Sequence, residues 1–89
     1  MERKHRIVSE VELIVIDRDV RLHRSEFIST LELLLEERNC GRVLGSGRSI
    51  VCDESLVVEI GAYDKSATES AIETACANAN VADHYTSWD

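Results

Sequence analysis

The spacing of apolar residues in the first half of the chain predicts a strand followed by a helix. Residues 11–17 read Val-Glu-Leu-Ile-Val-Ile-Asp, and a continuous apolar run rich in β-branched residues is typical of a central strand buried on both faces. Apolar residues then recur at the spacing of one helical face, which predicts a helix over Arg24–Arg38. We expect Ser25 to cap its start and Gly41 to end it, because glycine adopts the left-handed conformation without strain.

The helical spacing then disappears, and two extended segments predict a β-hairpin. Its arms are residues 42–51 and 56–63, joined by a polar connection at 52–55. Gly45 and Gly47 indicate a bulge or bend in the first arm. An alternative interpretation divides this arm into two very short strands around the Gly-Ser-Gly bend, which adds a strand without changing the fold class.

The rest of the chain predicts a second helix and a last strand. Ser66 and Glu69 have the spacing of a capping box, and alanines at helical spacing continue it into a helix over Ala67–Ala79. Residues 81–86 alternate weakly and indicate a short strand. This order of elements predicts an α+β fold, a two-layer βαββαβ ferredoxin-like sandwich in which two helices cover one face of an antiparallel sheet.

Length and composition restrict the chain to one small domain. With 89 residues, we expect a single domain over residues 1–89 that includes a basic N-terminal arm at 1–6. No apolar run approaches the roughly 18 residues of a membrane span, and no signal-peptide core follows the arm, which predicts a cytoplasmic protein. The three cysteines are widely spaced and odd in number, so we expect buried, reduced thiols rather than a disulfide framework.

In a two-layer sandwich one face of the sheet remains open, and here it should carry large apolar side chains. An exposed apolar patch indicates an interface, so a homodimer through the open faces is predicted. The alternative is that residues 1–10 or the Tyr85–Trp88 tail cover the patch. The two aromatic residues of this tail are expected to plug the core, or to anchor an interface if they are exposed. The apolar residues expected on the open face are Ile14, Ile16, Val57 and Tyr63, alongside the acidic Glu12 and Glu59. Those expected to face the helices are Leu13, Val15, Val58 and Ile60.

The negative charge of the chain is concentrated in its second half. The formal net charge is −7, and residues 53–89 contain eight acidic residues but only one basic residue, Lys65. Binding to nucleic acids or anionic membranes requires Lys and Arg at the surface, so this balance argues against both. It favours a basic protein partner, although ordinary solubility also explains it. The residues expected to bind a partner are Leu33, Glu36 and Glu37 on the first helix, and Glu69 and Glu73 on the second.

One segment has the composition of an anion or small-ligand site. Small residues with exposed backbone N–H groups, together with a guanidinium, can hold a phosphate or a carboxylate. A phosphate loop leads from a strand into a helix, whereas this segment leads into another strand, so bulge glycines are the favoured interpretation. The segment consists of Gly45, Ser46, Gly47 and Arg48.

Two further groups of residues suggest chemistry only weakly. Asp17, Asp19 and His23 have the ligand types for a divalent cation, but nearby arginines favour a solvated ion-pair loop, and no metal site is predicted. Nothing in the spacing of the chain brings a cysteine and a histidine together as a nucleophilic pair, so inert thiols are expected. The pairs considered combine Cys52 or Cys76 with His84 or His23.

These patterns favour a non-enzymatic, acidic protein-interaction module without cofactors or catalytic residues. An inhibitor or immunity-type partner of a basic nucleic-acid-processing protein would fit the charge. The alternative is a regulatory domain of similar fold that binds a small ligand near the first strand–helix loop and the Gly45–Arg48 segment. A small dimeric enzyme with a cavity on the open face ranks last, because the residues expected there are chiefly aliphatic.

Overall fold

The computed structural model describes residues 6–48 and 55–88, which form four strands and three helices. All strand pairs are antiparallel, and side chains from every helix belong to the core on one face of the sheet. The α+β class predicted from the sequence is confirmed. The elements in chain order are β1 (Ser9–Ile16), α1 (Arg18–Leu22), α2 (Arg24–Arg38), β2 (Gly41–Arg48), β3 (Ser55–Ala62), α3 (Lys65–Asn78) and β4 (His84–Trp88), and the strand order across the sheet is β2-β3-β1-β4.

The core lies between the helices and the inner face of β1 and β3. Leu13 and Val58 are directly opposite each other in these strands, and both are completely buried. Val15 and Ile60 are equally buried, so the four residues predicted to face the helices do so. The helices cover this face with large apolar side chains: Phe27, Leu31, Leu35 and Ile72.

The short helix α1 occupies a segment that the sequence pattern predicts to be a polar loop. Asp17 is its N-cap, and the Asp17 carboxylate accepts a hydrogen bond from the Val20 N–H at 3.1 Å. Val20 is buried in the core. One buried residue among charged neighbours gives no periodic signal, so the apolar spacing of the sequence does not reveal this helix.

Helix α2 has the predicted bounds, but different residues terminate it. Its N-cap is His23, which makes no capping side-chain bond, and Ser25 lies inside the helix, so the prediction for Ser25 is wrong. At the other end Asn39, not Gly41, adopts the left-handed conformation, with φ of 55°. Asparagine tolerates this conformation better than other residues with a Cβ atom. Gly41 is instead the first residue of β2, where it lies close against the backbone of β3.

Helix α3 begins two residues earlier than predicted because another side chain caps it. The N-cap is Asp64, whose carboxylate accepts a hydrogen bond from the Ala67 N–H at 3.1 Å. Ser66 lies within the first turn of the helix, so the predicted capping box of Ser66 and Glu69 is wrong. Aspartate and serine are both good caps, and only the extended backbone at Asp64 decides between them.

We expect the substitution Asp64→Ala to lower the free energy of unfolding by about 1 kcal/mol, because it removes the cap of α3. Ser66→Ala is the matched control and should change the stability by less than about 0.5 kcal/mol. Urea denaturation followed by circular dichroism measures both. A larger loss of stability for Ser66→Ala than for Asp64→Ala would show that Asp64 is not the cap of α3.

The predicted hairpin is present, with a bulge at its expected place. Val43 pairs with Ile60 and Gly45 pairs with Glu59, which leaves Leu44 as the extra residue of the bulge. Strand β2 is continuous, so the alternative of two short strands is wrong. The predicted connection and the end of the first arm lie outside the described residues.

The last strand, β4, lies at the edge of the sheet beside β1 and is shifted from its predicted place. It covers His84–Trp88 rather than 81–86. Within the described residues, none of the helices has the length and apolar character needed to cross a membrane.

Candidate functional site

The face of the sheet turned away from the helices, here called the open face, has two chemically different halves. Residues two apart on a strand share a face, so the outward positions follow from the register of the buried ones. One end of the open face carries acidic side chains and the other end carries apolar ones. The carboxylate half consists of Glu10, Glu12 and Glu59, and the apolar half consists of Ile14, Ile16, Val57 and Tyr85.

The carboxylate half brings like charges into direct opposition. Glu12 on β1 is the cross-strand partner of Glu59 on β3, and Glu10 follows on the same side of β1. In the described part of the chain, neither Glu12 nor Glu59 has an ion-pair or hydrogen-bond partner. Like charges directly opposite each other destabilise a sheet. This arrangement therefore lowers the stability of the fold, and a cationic group placed on it would reverse the effect.

A shallow depression lies between these carboxylates. Its volume is about 160 Å³, and its described lining includes Glu10, Glu12, Glu59 and Ser87, with neither lysine nor arginine among the described residues. On the neighbouring strand the partner of Glu59 is Gly45, which has no side chain to cover the carboxylate. The Glu59 carboxylate is consequently uncovered on the β2 side.

The apolar half is continuous across three strands. Ile14 on β1 is directly opposite Val57 on β3 and Tyr85 on β4. Tyr85 is 59% exposed and Ile16 is 38% exposed. Three of the residues predicted for this face, namely Ile14, Ile16 and Val57, are therefore where the sequence places them.

The aromatic residues divide differently from the prediction. Tyr63 lies in the bend after β3 and lines a groove with Glu36 and Arg42, so it does not belong to the open face. Of the two tail residues, Trp88 packs against the core and Tyr85 is exposed. The alternation in the His-Tyr-Thr sequence could have revealed Tyr85, but its pairing with Ile14 depends on the strand order.

The described part of the N-terminal segment packs on one corner of the open face. A Cβ atom on Gly61 would lie 2.6 Å from Cδ1 of Ile7, so Ile7 packs directly on this glycine. Gly61 is the cross-strand partner of Glu10, at the carboxylate end of the sheet. The tail itself forms the edge strand β4. Ile14 and Val57 are half-buried, and Tyr85 of β4 lies beside Ile14, whereas residues 1–5 lie outside the described residues.

The acidic residues predicted on the helices are exposed, but they do not form one surface. On α2, Leu33 is 57% exposed and Glu36 and Glu37 are exposed beside it. The guanidinium of Arg38 donates hydrogen bonds to Ser70 Oγ and Thr74 Oγ1, at 3.1 and 3.4 Å, which identifies the side of α3 that faces α2. Glu69 and Glu73, which directly precede these two residues, are exposed. Successive residues of a helix are rotated by about 100°, so their carboxylates turn away from α2.

The glycine-rich segment lies in the edge strand β2, from Gly45 through Ser46 and Gly47 to Arg48. A Cβ atom on Gly45 would lie 3.6 Å from Oε1 of Glu59. An anion bound at this point would meet a carboxylate, which costs Coulomb energy. The predicted anion site stays a prediction, and the surrounding charge does not favour it.

The residues considered for a metal ion are used in the termini of helices. Asp17 caps α1, and Nδ1 of His23 donates a hydrogen bond to the Asp19 carbonyl oxygen at 3.1 Å. The described residues contain no group of three side chains placed to ligate a metal. The ion-pair loop expected over Asp17–His23 is instead a capped helix.

The two described cysteines are buried free thiols. Cys40 and Cys76 are each 1% exposed. Burial, together with the nearby negative charge of Glu73, raises the pKa of Cys76 from its ordinary value of 9.0 to about 11. The thiol of Cys76 is therefore neutral at physiological pH and a poor nucleophile. Cys52 lies outside the described residues.

We expect Cys76 to resist alkylation in the folded protein. With the raised pKa, only about one thiol in a thousand is ionised near pH 8, and burial excludes the reagent as well. Iodoacetamide labelling followed by peptide mass spectrometry should show Cys76 unmodified in the native protein and fully modified in urea. Rapid labelling of Cys76 in the native state would contradict the burial described here.

Comparison with known proteins does not assign this arrangement to a known site. The sequence matches no model of a known protein family, and no curated protein is significantly similar to it. The function must therefore be inferred from the geometry and charge of the open face.

Proposed function

We propose that this protein is a non-enzymatic interaction module whose open face binds a basic protein partner. The observation that supports this proposal is the union of the two halves on one surface. Ile14 and Val57 form an apolar cross-strand pair, and Glu12 and Glu59 form a like-charged one. The two pairs are two residues apart along β1 and β3, so they are neighbours on the open face. Apolar surface gives binding energy, and the adjacent carboxylates select a partner of the opposite charge.

The energetics of the carboxylate half also favour a cationic partner. The opposition of Glu12 and Glu59 lowers the stability of the free protein, whereas a guanidinium or ammonium group between them converts repulsion into two charge-assisted hydrogen bonds. Arginine is the best candidate for this group, because its planar fork contacts two carboxylates at once. Binding is thus favoured both by the new hydrogen bonds and by the relief of repulsion between the two carboxylates.

The partner class that we favour is a basic protein whose own ligand is nucleic acid, so that this chain would act as its inhibitor or immunity partner. The net charge of −7 supports electrostatic attraction to such a protein, and it disfavours direct binding of this chain to nucleic acid. A cytoplasmic location is part of the proposal, since buried free thiols such as Cys40 and Cys76 are usual in reducing compartments.

We further infer a variant of the ferredoxin-like sandwich. Strands β1 and β2 lie on either side of β3, and strands β3 and β4 lie on either side of β1. Each of these two pairs is connected through helices, which is the arrangement of two interleaved split βαβ units. The additional helix α1 distinguishes this chain from the simple βαββαβ order.

The homodimer predicted from the sequence is retained as a proposal for the apolar half alone. Two copies that stacked their whole open faces would place carboxylates on carboxylates or on apolar side chains, and both arrangements are unfavourable. Copies that stack Ile14, Val57 and Tyr85 alone leave the carboxylates outside the contact, so a dimer of this kind would offer the partner the carboxylate half only. Light scattering over a range of concentrations distinguishes a dimer, of twice 10.0 kDa, from a monomer.

The proposal is tested with a fluorescently labelled peptide in which arginine alternates with valine, and with a control peptide in which glutamate replaces arginine. Fluorescence anisotropy should show saturable binding of the arginine peptide only. Binding should weaken as the salt concentration rises from about 0.05 M to about 0.5 M, because screening shortens the reach of the carboxylates. Equal affinity for the two peptides would contradict the proposal.

A further inference from the structure

A second surface feature lies on the helical side of the molecule, away from the open face. It is a groove of about 410 Å³ between α1, the start of α2 and the end of α3. Its floor is apolar and buried, and includes Val20, Phe27 and Ala75. Phe27 is the sole phenylalanine of the chain. A concave site of this volume, with an apolar floor and a polar rim, has the dimensions of a small-molecule site.

The groove exists because α2 and α3 meet differently at their two ends. At one end the guanidinium of Arg38 bridges the two helices and donates hydrogen bonds to Ser70 and Thr74. At the other end α3 contributes the small residues Ala75 and Ala79 to the lining, opposite Phe27 and Thr30 of α2. The protein therefore fills one end of this helix pair with its own cation and leaves the other end open.

The rim of the groove is rich in hydrogen-bond acceptors. The carboxylates of Asp19 and Glu26 line it, and neither has a partner in the described part of the chain. Nδ1 of His23 donates to the Asp19 carbonyl oxygen, so in the neutral imidazole Nε2 is an acceptor. Among the described lining residues there is neither lysine nor arginine. The complementary ligand is therefore a cation with several N–H donors.

We propose that this groove binds a small organic cation, in which an ammonium or guanidinium group contacts Asp19 and Glu26 and an apolar body lies on Phe27 and Ala75. The charge complementarity of the rim and the volume of the groove together support this ligand class. The site is separate from the open face, so it stands or falls independently of the proposed partner binding.

The proposal is tested by titrating the 89-residue chain with 2-phenylethylamine and with its neutral analogue 2-phenylethanol, and by following amide chemical shifts in NMR spectra. The amine should bind saturably and shift the amides of Phe27, Thr30 and Ala75, and the alcohol should bind at least about tenfold more weakly, because charge-assisted hydrogen bonds are lost. No saturation by the amine, or equal binding of the alcohol, would overturn the proposal.

Variants assign the effect to the groove. Glu26→Gln should weaken amine binding about tenfold, whereas Glu37→Gln, on the same helix but away from the groove, should leave it unchanged. Thr30→Leu keeps both carboxylates but narrows the groove, and it should weaken amine binding as well. Equal effects of the two glutamine variants would show that the amine responds to net charge alone, against the proposal.

Tighter binding of the arginine–valine peptide than of the amine at these amides would assign the groove to a polypeptide and overturn the proposal of a small organic ligand.

Discussion

The substitution Gly41→Ala should destabilise the protein by about 3 kcal/mol, the largest effect that we expect from any single methyl group in this chain. A Cβ atom on Gly41 would lie 2.6 Å from the carbonyl oxygen of Gly61 and 3.2 Å from Oγ1 of Thr68. The nearer contact is with the backbone of the adjacent strand, so no side-chain rotation can relieve it. Strands β2 and β3 would have to separate at the point where α3 packs on them.

The hydrogen bonds at this point make such a separation costly. The Thr68 hydroxyl donates to the Cys40 carbonyl oxygen at 2.8 Å, and the Tyr63 N–H donates to the same oxygen at 2.7 Å. Both bonds adjoin Gly41, and Thr68 is completely buried. Moving the strand would therefore weaken buried hydrogen bonds as well as create a clash.

Chemical denaturation measures this effect, and Gly47→Ala is the matched control. A Cβ atom on Gly47 would meet no atom within 4 Å, and this residue has no positive φ. The control substitution in the same strand should change the stability by less than about 0.5 kcal/mol. Similar losses for the two variants would show that Gly41 is not in close contact with β3.

The second large effect is expected for binding, from the double substitution E12K/E59K on the carboxylate half. It should weaken binding of the arginine–valine peptide about a hundredfold, which corresponds to roughly 2.8 kcal/mol. The variant exchanges one like-charged pair for another, so the electrostatic contribution of this pair to folding changes little. Loss of binding can then be attributed to the surface rather than to unfolding, and circular dichroism checks that the fold is retained.

The double substitution E69K/E73K is the matched control for net charge. Both double variants change the net charge from −7 to −3, since each replaces two negative charges with two positive ones. Glu69 and Glu73 are exposed on α3, on the opposite layer from the open face. We expect at most about a threefold loss for this control, from weaker long-range attraction. Equal losses for the two variants would mean that the peptide responds to overall charge only.

The sequence predicts the fold class well because the buried strands and helices have strong periodic signals. The apolar run in β1 and the spacing of Phe27, Leu31 and Leu35 in α2 are long enough to be read without knowledge of their surroundings. The ends of elements are set by single side chains and backbone angles, which explains the errors at Ser25, Ser66 and Gly41. Several residues with capping ability are adjacent, and only the folded backbone selects among them.

The candidate site is harder to predict because it depends on how the strands pair. Ile14, Ile16 and Val57 could be assigned to the open face by alternation alone. The opposition of Glu12 and Glu59 requires both the strand order and the register of β1 with β3, and neither is encoded in a local pattern. Alternation also assigns Glu12 and Glu59 to this face, but only the register shows that they lie directly opposite each other. Without that register, the sequence favours the acidic residues of the helices as the docking residues.

The most direct test of the central claim, that the open face is the binding surface, is a map of amide chemical-shift changes when the arginine–valine peptide is added. We predict changes at Glu12, Ile14, Val57 and Tyr85, with the outer sides of α2 and α3 unaffected. Changes confined to the helices around Leu33 and Glu69, or the absence of saturable changes, would contradict the account.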